Sequence, residues 1–97
     1  MKDVFIEKIR LDDDGILCIT PAGRDFKKIH RSAKGVHWND EKHFLYHNPP
    51  QAWDNLKWYQ QILLAVKSEY GVILKVRKET VYENISNELK SNIEIAA

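Results

Sequence analysis

The longest run of hydrophobic residues at helical spacing lies in residues 48–71. Its apolar positions recur at steps of three, four and seven: Ala52, Leu56, Tyr59, Ile62, Leu63, Val66 and Tyr70. Such steps place side chains on one face of a helix with about 3.6 residues per turn. Asn48 can cap the N-terminus, and the two prolines that follow suit the first turn. Gly71 suits a left-handed C-terminal exit. The pattern predicts a central helix over residues 48–71.

This helix has more large side chains than one apolar stripe, the face formed by those seven residues, can bury. Trp53, Trp58, Leu64 and Ala65 lie outside the stripe. A surface helix is normally polar at such positions, so this helix is either covered on several sides or carries a second apolar face for a partner. Tryptophan and tyrosine contribute strongly to interfaces. The sequence therefore predicts a partner-binding surface, formed by Trp53, Trp58, Tyr59 and Leu64.

Two stretches of β-branched residues near the N-terminus predict a β-hairpin. Residues 4–11 and 16–21 have strand-like patterns, and Asp14 and Gly15 between them tolerate the positive φ of a tight turn. A further strand is predicted over residues 72–76. Its nearly unbroken apolar run is typical of a strand inside a sheet rather than at its edge.

A histidine-rich segment predicts a second hairpin, with strands over residues 36–38 and 44–46 and a polar turn between them. The predicted register sends His37 and His43 to opposite sides of the hairpin. His43 and His47 share a side but lie about 13 Å apart at roughly 3.3 Å per residue, too far for one ion. We therefore predict no metal site here.

Two more helices complete the predicted elements. Residues 24–35 combine an apolar face with five cations and predict a short basic helix that ends at Gly35. Thr80 and Glu83 have the spacing of a capping box, which predicts that a last helix begins there. Its buried edge would be Val81, Ile85, Leu89 and Ile93, with Ser86 as a break or kink.

These elements predict one α+β domain over residues 1–97. Two hairpins and the strand after Gly71 would form a mostly antiparallel sheet of four or five strands, with the central and C-terminal helices packed on one face. The predicted core is Phe5, Ile9, Leu17, Ile19, Phe26, Ile29, Val36, Leu45, Leu56, Tyr59, Leu63, Val66, Ile73, Val76, Ile85 and Leu89.

Composition narrows the classes of function. The formal charge of +1, from 15 basic and 14 acidic residues, excludes a protein that works by global attraction to nucleic acid or anionic membrane. Cys18 is the only cysteine and lies in an apolar run, which predicts a buried thiol and no internal disulfide. The N-terminus does not read as a signal peptide, and no apolar run approaches membrane-spanning length. We predict a cytoplasmic protein with no membrane partner and no cofactor.

Two alternatives to partner binding remain open. The cations of residues 24–34 could bind phosphates, with an aromatic ring to stack on a base; the residues are Arg24, Lys27, Lys28, Arg31, Lys34 and Trp38. A ligand pocket or enzyme could use His30 or His37 with Asp40, Glu41 or Asp54. No glycine-rich phosphate loop, nucleophile elbow or HExxH pair specifies a reaction, so no catalytic residue is predicted. The aspartates at residues 12–14 lack the spacing of a calcium loop.

The sequence also resembles a known group of proteins. Three stretches carry the resemblance: residues 14–18 (DGILC) with Pro21, residues 35–38 (GVHW) and residues 65–71 (AVKSEYG). They are similar to small bacterial proteins encoded on mobile integron gene cassettes. The resemblance implies a cytoplasmic bacterial origin, an unusual α+β fold and oligomerisation, and it assigns no catalytic residue. The function predicted is a small binding or regulatory module that acts through self-association, as a dimer, or through a protein partner.

Overall fold

A computed structural model describes residues 2–29, 35–47 and 54–96 of the chain. In chain order the elements are β1 (Lys2–Leu11), β2 (Leu17–Pro21), β3 (Val36–Asn39), β4 (Phe44–His47), α1 (Asn55–Tyr70), β5 (Val72–Lys75), β6 (Val81–Glu83) and α2 (Asn87–Ala96). They form an α+β fold, as predicted, in which the strands build one mixed sheet.

The sheet has the order β3-β4-β2-β1-β5, and β6 also pairs with β1. Both predicted hairpins are confirmed: β1 with β2 and β3 with β4 are antiparallel. β5 and β6 are both parallel to β1, so the sheet is mostly but not wholly antiparallel. Over the described ranges it has six strands rather than four or five. The prediction that the strand after Gly71 lies inside the sheet is wrong, because among the described residues β5 pairs only with β1 and forms an edge.

β5 and β6 pair with successive parts of β1, and Thr80 joins the two pairings. β5 pairs with residues 2–5 and β6 with residues 8–10. Between them, the buried Thr80 Oγ1 donates a hydrogen bond of 2.6 Å to the Ile6 carbonyl and accepts one of 2.9 Å from the Arg77 N–H. The capping-box prediction is therefore wrong, since Thr80 supports a sheet edge instead of starting a helix.

A β-bulge in β1 changes which side chains reach the core. The pairing with β2 shifts between Ile6 and Lys8. Before the shift Val4 and Ile6 are buried, and after it Ile9 is buried. Phe5, predicted to be a core residue, is instead 43% exposed. An extra residue in one strand reverses the alternation that a regular strand would keep.

α1 begins later than predicted and ends where predicted. Asp54 is its N-cap and accepts a hydrogen bond of 2.8 Å from the Lys57 N–H, so Asn48 is not the cap of this helix. Gly71 closes the helix with a φ of 64°, and its N–H donates to the Lys67 carbonyl. Residues 48–53, part of the predicted helix, lie outside the described residues.

The last helix begins at Asn87, because Ser86 caps it: the Leu89 N–H donates to Ser86 Oγ at 3.1 Å. Of its predicted buried edge, Ile93 is fully buried, whereas Val81 is exposed and belongs to β6. The predicted helix over residues 24–35 is wrong for residues 24–29, which form an irregular segment ending in a tight turn. Residues 30–34 are not described.

The core lies between one face of the sheet and α1. The buried residues of α1 are Trp58, Tyr59, Ile62, Ala65 and Val66. Two of them, Trp58 and Ala65, were expected outside the buried stripe, so the apolar face is wider than one stripe. Of the predicted core, Leu56, Leu63, Ile73, Val76, Ile85 and Leu89 are only partly buried. In β5 the fully buried positions are Val72 and Leu74.

Two buried acidic groups make the fold sensitive to alkaline pH. Burial, with a smaller contribution from Asp12, raises the pKa of Cys18 to about 11 from a usual 9.0. Burial also raises the pKa of Tyr59, and nearby Tyr82 adds to the effect. The Tyr59 hydroxyl is fully enclosed without a hydrogen-bond partner in the part of the chain that is described. Both groups therefore hold their protons more tightly when folded than when unfolded.

We expect stability to fall as the pH rises from about 9 to about 11. Each group has a higher pKa in the folded chain than in the unfolded chain. Its contribution to stability is therefore complete at a pH below the unfolded-state pKa and is lost as the pH rises through the folded-state pKa. Cys18 alone accounts for about 2 kcal/mol of this loss. Urea unfolding at a series of pH values measures it. Cys18→Ala should lose less stability over this range than the wild type, and equal slopes would contradict the assignment.

Candidate functional site

The predicted partner-binding residues separate into buried and exposed groups. Trp58 and Tyr59 are 4% and 0% exposed. The Trp58 ring stacks on His47 with centroids 4.3 Å apart and lies against Gly35, where a Cβ would meet the indole at 3.1 Å. Leu64 is 60% exposed. Trp53 lies outside the described residues. Of the predicted partner-binding residues that the structure describes, which are Trp58, Tyr59 and Leu64, only Leu64 exposes apolar surface in the single folded chain.

Leu64 borders a groove between α1 and the edge strand β5, which we call the α1–β5 groove. Its cavity is about 260 Å³, and it is lined by Tyr59, Gln60, Leu63, Leu64, Lys67, Ile73 and Leu74. Beside it, the outer edge of β5 has no strand partner among the described residues. An unpaired strand edge is a template for pairing with another chain. The groove therefore combines apolar surface with free backbone hydrogen-bonding groups.

The second face of the sheet, which we call the open face, carries no packed helix from the described residues. Strand register places the following side chains on it: Lys8, Arg10, Cys18, Thr20, His37, Asn39, Phe44, Tyr46, Val81 and Glu83. Cys18 is buried, Val81 and Glu83 are exposed, and the others are partly buried. A smaller concavity of about 160 Å³ lies there, bordered by Lys8, Arg10, Cys18, Thr20, Lys42 and Phe44.

The basic segment does not present a free row of cations in its described part. The Arg24 guanidinium lies 5.4 Å from the ring centres of both Phe26 and Tyr70. Lys27 Nζ lies 3.5 Å from an Asp40 carboxylate oxygen, while Lys28 is exposed. Trp38 donates its indole N–H to Asp40 at 3.3 Å and packs edge-on to Phe26. Arg31 and Lys34 are not described.

The histidines occupy three different environments. His47 is buried, and its Nε2 accepts a hydrogen bond of 2.9 Å from the Leu17 N–H. His37 lies on the open face beside Tyr46, and its Nε2 has no partner within the described ranges. His43 is exposed, with Nδ1 3.2 Å from Asp25. His30 is not described. The structure therefore does not gather the described histidines into one site.

One cluster of metal-type ligands is present in the described part. Asp25, Asp40 and His43 place one ligand atom each within 4.8 Å of one another, and all three are exposed. Their contacts are already made within the chain, since Asp40 binds Lys27 and Trp38 and Asp25 binds His43. The cluster therefore serves to hold segment 24–29 against the hairpin turn.

Another cavity lies where the two helices begin. It is about 650 Å³ and is lined by Leu11, Asp54, Asn55, Leu56, Asn84, Ile85, Ser86, Glu88, Leu89 and Asn92. Asp54 and Ser86 there cap α1 and α2. Among the described residues, the lining has two carboxylates, Asp54 and Glu88, and several amides, but no histidine, cysteine or cation.

Sequence reasoning missed the β5 edge and the concavity on the open face. The edge was not recognised because Val72, Ile73 and Leu74 of β5 form an apolar run, which is also typical of an internal strand. The concavity draws residues from three strands and a turn, so only strand register could reveal it. One pattern in the sequence could have indicated it. Lys8 and Arg10 flank Ile9 in β1, so strand alternation places both cations on the face opposite the buried Ile9.

The elements and surfaces define a small α+β protein with an open-faced mixed sheet and an exposed edge strand. The family model described as Integron Cassette Protein Hfx_Cass5 matches residues 4–80. The chain belongs to this family, and the resemblance to integron cassette proteins is confirmed.

A solved structure supports the same relation. The integron cassette protein Hfx_Cass5, from the mobile metagenome of the North West Arm Sewage Outfall, is 35% identical to this chain. The match covers 99% of this chain and 96% of that one, with a TM-score of 0.50. A search of curated proteins found no match. Within the described residues, neither helix is long and apolar enough to cross a membrane.

Proposed function

We propose that this protein is a small binding or regulatory module of the bacterial cytoplasm that acts by pairing with a second copy of itself. The observation that carries the proposal is Leu64, 60% exposed beside the α1–β5 groove and the unpaired edge of β5. Exposed apolar side chains beside a concave apolar surface are typical of contact sites.

A second copy of the chain is the partner we propose, because an unpaired strand edge and an exposed apolar side chain lie side by side on this surface in the described residues. In a two-fold arrangement, β5 of one copy pairs with β5 of the other, and the two sheets become continuous. The same operation directs Leu64 of each copy toward the groove of its partner, where Leu63 and Ile73 are only partly buried. The apolar groove excludes water, and the strand pairing specifies the register.

Sedimentation equilibrium over about 5 to 500 μM tests the proposal by mass action. We expect the wild type to approach twice the chain mass of 11.4 kDa. Leu64→Glu should remain monomeric over the same range, because removing a carboxylate from water at an apolar contact is costly.

Ile95→Glu is the matched control, because Ile95 is 82% exposed on the other helix. It introduces the same charge at an exposed apolar residue and should leave the dimer intact. A wild-type monomer throughout, or equal effects of the two substitutions, would reject the α1–β5 groove as the contact.

A further inference from the structure

The open face of the sheet, away from the α1–β5 groove, carries a concentration of positive charge. Lys8, Arg10 and Lys42 border one concavity of about 160 Å³, together with the Thr20 hydroxyl. No carboxylate is among its lining residues. For a chain whose net charge is only +1, three cations around one concavity are a local departure from balance.

The nearby acidic groups offset only part of this charge. Glu83 forms an ion pair with Lys8, and its pKa is lowered by that contact and, more weakly, by Arg10. Lys42 forms no ion pair within the described residues and is exposed at the hairpin turn. The floor is neutral, because the pKa of Cys18 is raised to about 11 by burial. The concavity therefore favours the binding of an anion, and the Thr20 hydroxyl can donate a hydrogen bond to one of its oxygens.

Aromatic rings continue the surface beside these cations. Phe44 lines the concavity, and the Tyr46 ring lies 5.8 Å from it, with His37 5.5 Å beyond Tyr46. All three rings are only partly buried. The enclosed His37 Nε2 has no partner in the described part of the chain. A sheet face that pairs cations with accessible rings can hold a phosphate and stack an adjoining base.

We propose that the open face binds single-stranded nucleic acid. Lys8, Arg10 and Lys42 hold a backbone phosphate in the concavity, and Phe44 and Tyr46 provide the stacking surface. This assignment places binding on a different face from the basic segment 24–34. It is also independent of the α1–β5 groove, so Leu64→Glu should leave it unchanged.

Fluorescence anisotropy with a labelled mixed-sequence DNA strand of about 12 nucleotides tests the proposal. One phosphate of a single strand held in the concavity predicts a slope of about −0.7 for log K against log salt, or about 2.5-fold weaker binding between roughly 50 and 200 mM salt. Lys42→Glu should weaken binding and make the slope shallower. Tyr46→Ala should weaken binding about tenfold, and Tyr46→Phe should preserve it.

Lys78→Glu, at an exposed loop residue, is the charge-matched control and should have no such effect. The melting temperature of each variant shows that the fold is retained. Three results would overturn the proposal: no oligonucleotide binding at low salt, a larger loss in Lys28→Glu than in Lys42→Glu, or equal binding of a duplex, whose bases are not free to stack. NMR shifts with inorganic phosphate that occur without oligonucleotide binding would also overturn it, because they would indicate a free-phosphate site.

Discussion

Trp58→Ala is expected to destabilise the protein by about 3–5 kcal/mol, the largest single effect we anticipate. The indole is 4% exposed and stacks on His47 at an interplanar angle of 5°. His47 in turn accepts the buried Leu17 N–H. Removing the indole therefore leaves a cavity and loosens the side chain that satisfies a strand N–H.

Urea denaturation of Trp58→Ala, Trp58→Phe and Leu64→Ala tests this expectation. Phenylalanine keeps part of the ring on His47 and should cost less than alanine. Leu64→Ala removes an exposed side chain from the same helix and should change the free energy of unfolding of the monomer by less than about 0.5 kcal/mol. A small effect of Trp58→Ala would show that Trp58 belongs to the surface, as its position outside the predicted stripe indicated.

Thr80→Val is the second substitution with a large expected effect, a loss of about 2 kcal/mol. Valine preserves the shape of threonine but removes the hydroxyl that donates to the Ile6 carbonyl and accepts from the Arg77 N–H. Both backbone groups would lose their partner at the gap between β5 and β6.

Thr80→Ser keeps the hydroxyl and loses only a methyl group, so it should cost less than Thr80→Val. Hydrogen exchange gives a second readout, because amides of residues 81–83 should exchange faster in Thr80→Val than in Thr80→Ser. Equal stability of the two variants would mean that the Thr80 hydroxyl does not hold β6 to β1.

The sequence predicted the fold wherever a local pattern determines the structure. Both hairpins, the end of α1 at Gly71 and the α+β class follow from turn residues and periodicity. The burial of Phe5 was predicted wrongly because one extra residue in β1 reverses the alternation, and a bulge has no reliable local pattern. Thr80 was misassigned because its partner, Ile6, is 74 residues away in the chain.

The candidate sites were less predictable than the fold, because both depend on which elements meet. Leu64 was predicted to lie outside the buried stripe, and it is exposed. Trp58 satisfied the same criterion but is covered by the β3–β4 hairpin, a contact that helical periodicity cannot reveal. The open-face concavity required the register of β1, β2 and β4, which sequence spacing alone does not determine.

Hydrogen exchange of β5 at two protein concentrations tests the proposed self-association most directly, because it locates the contact as well as detecting it. Between about 5 and 500 μM, backbone amides of Val72–Lys75 and peptides spanning Leu64 should gain protection in the wild type but not in Leu64→Glu. Exchange at β5 that is the same at both concentrations, or concentration-dependent protection confined to another surface, would contradict pairing through the α1–β5 groove.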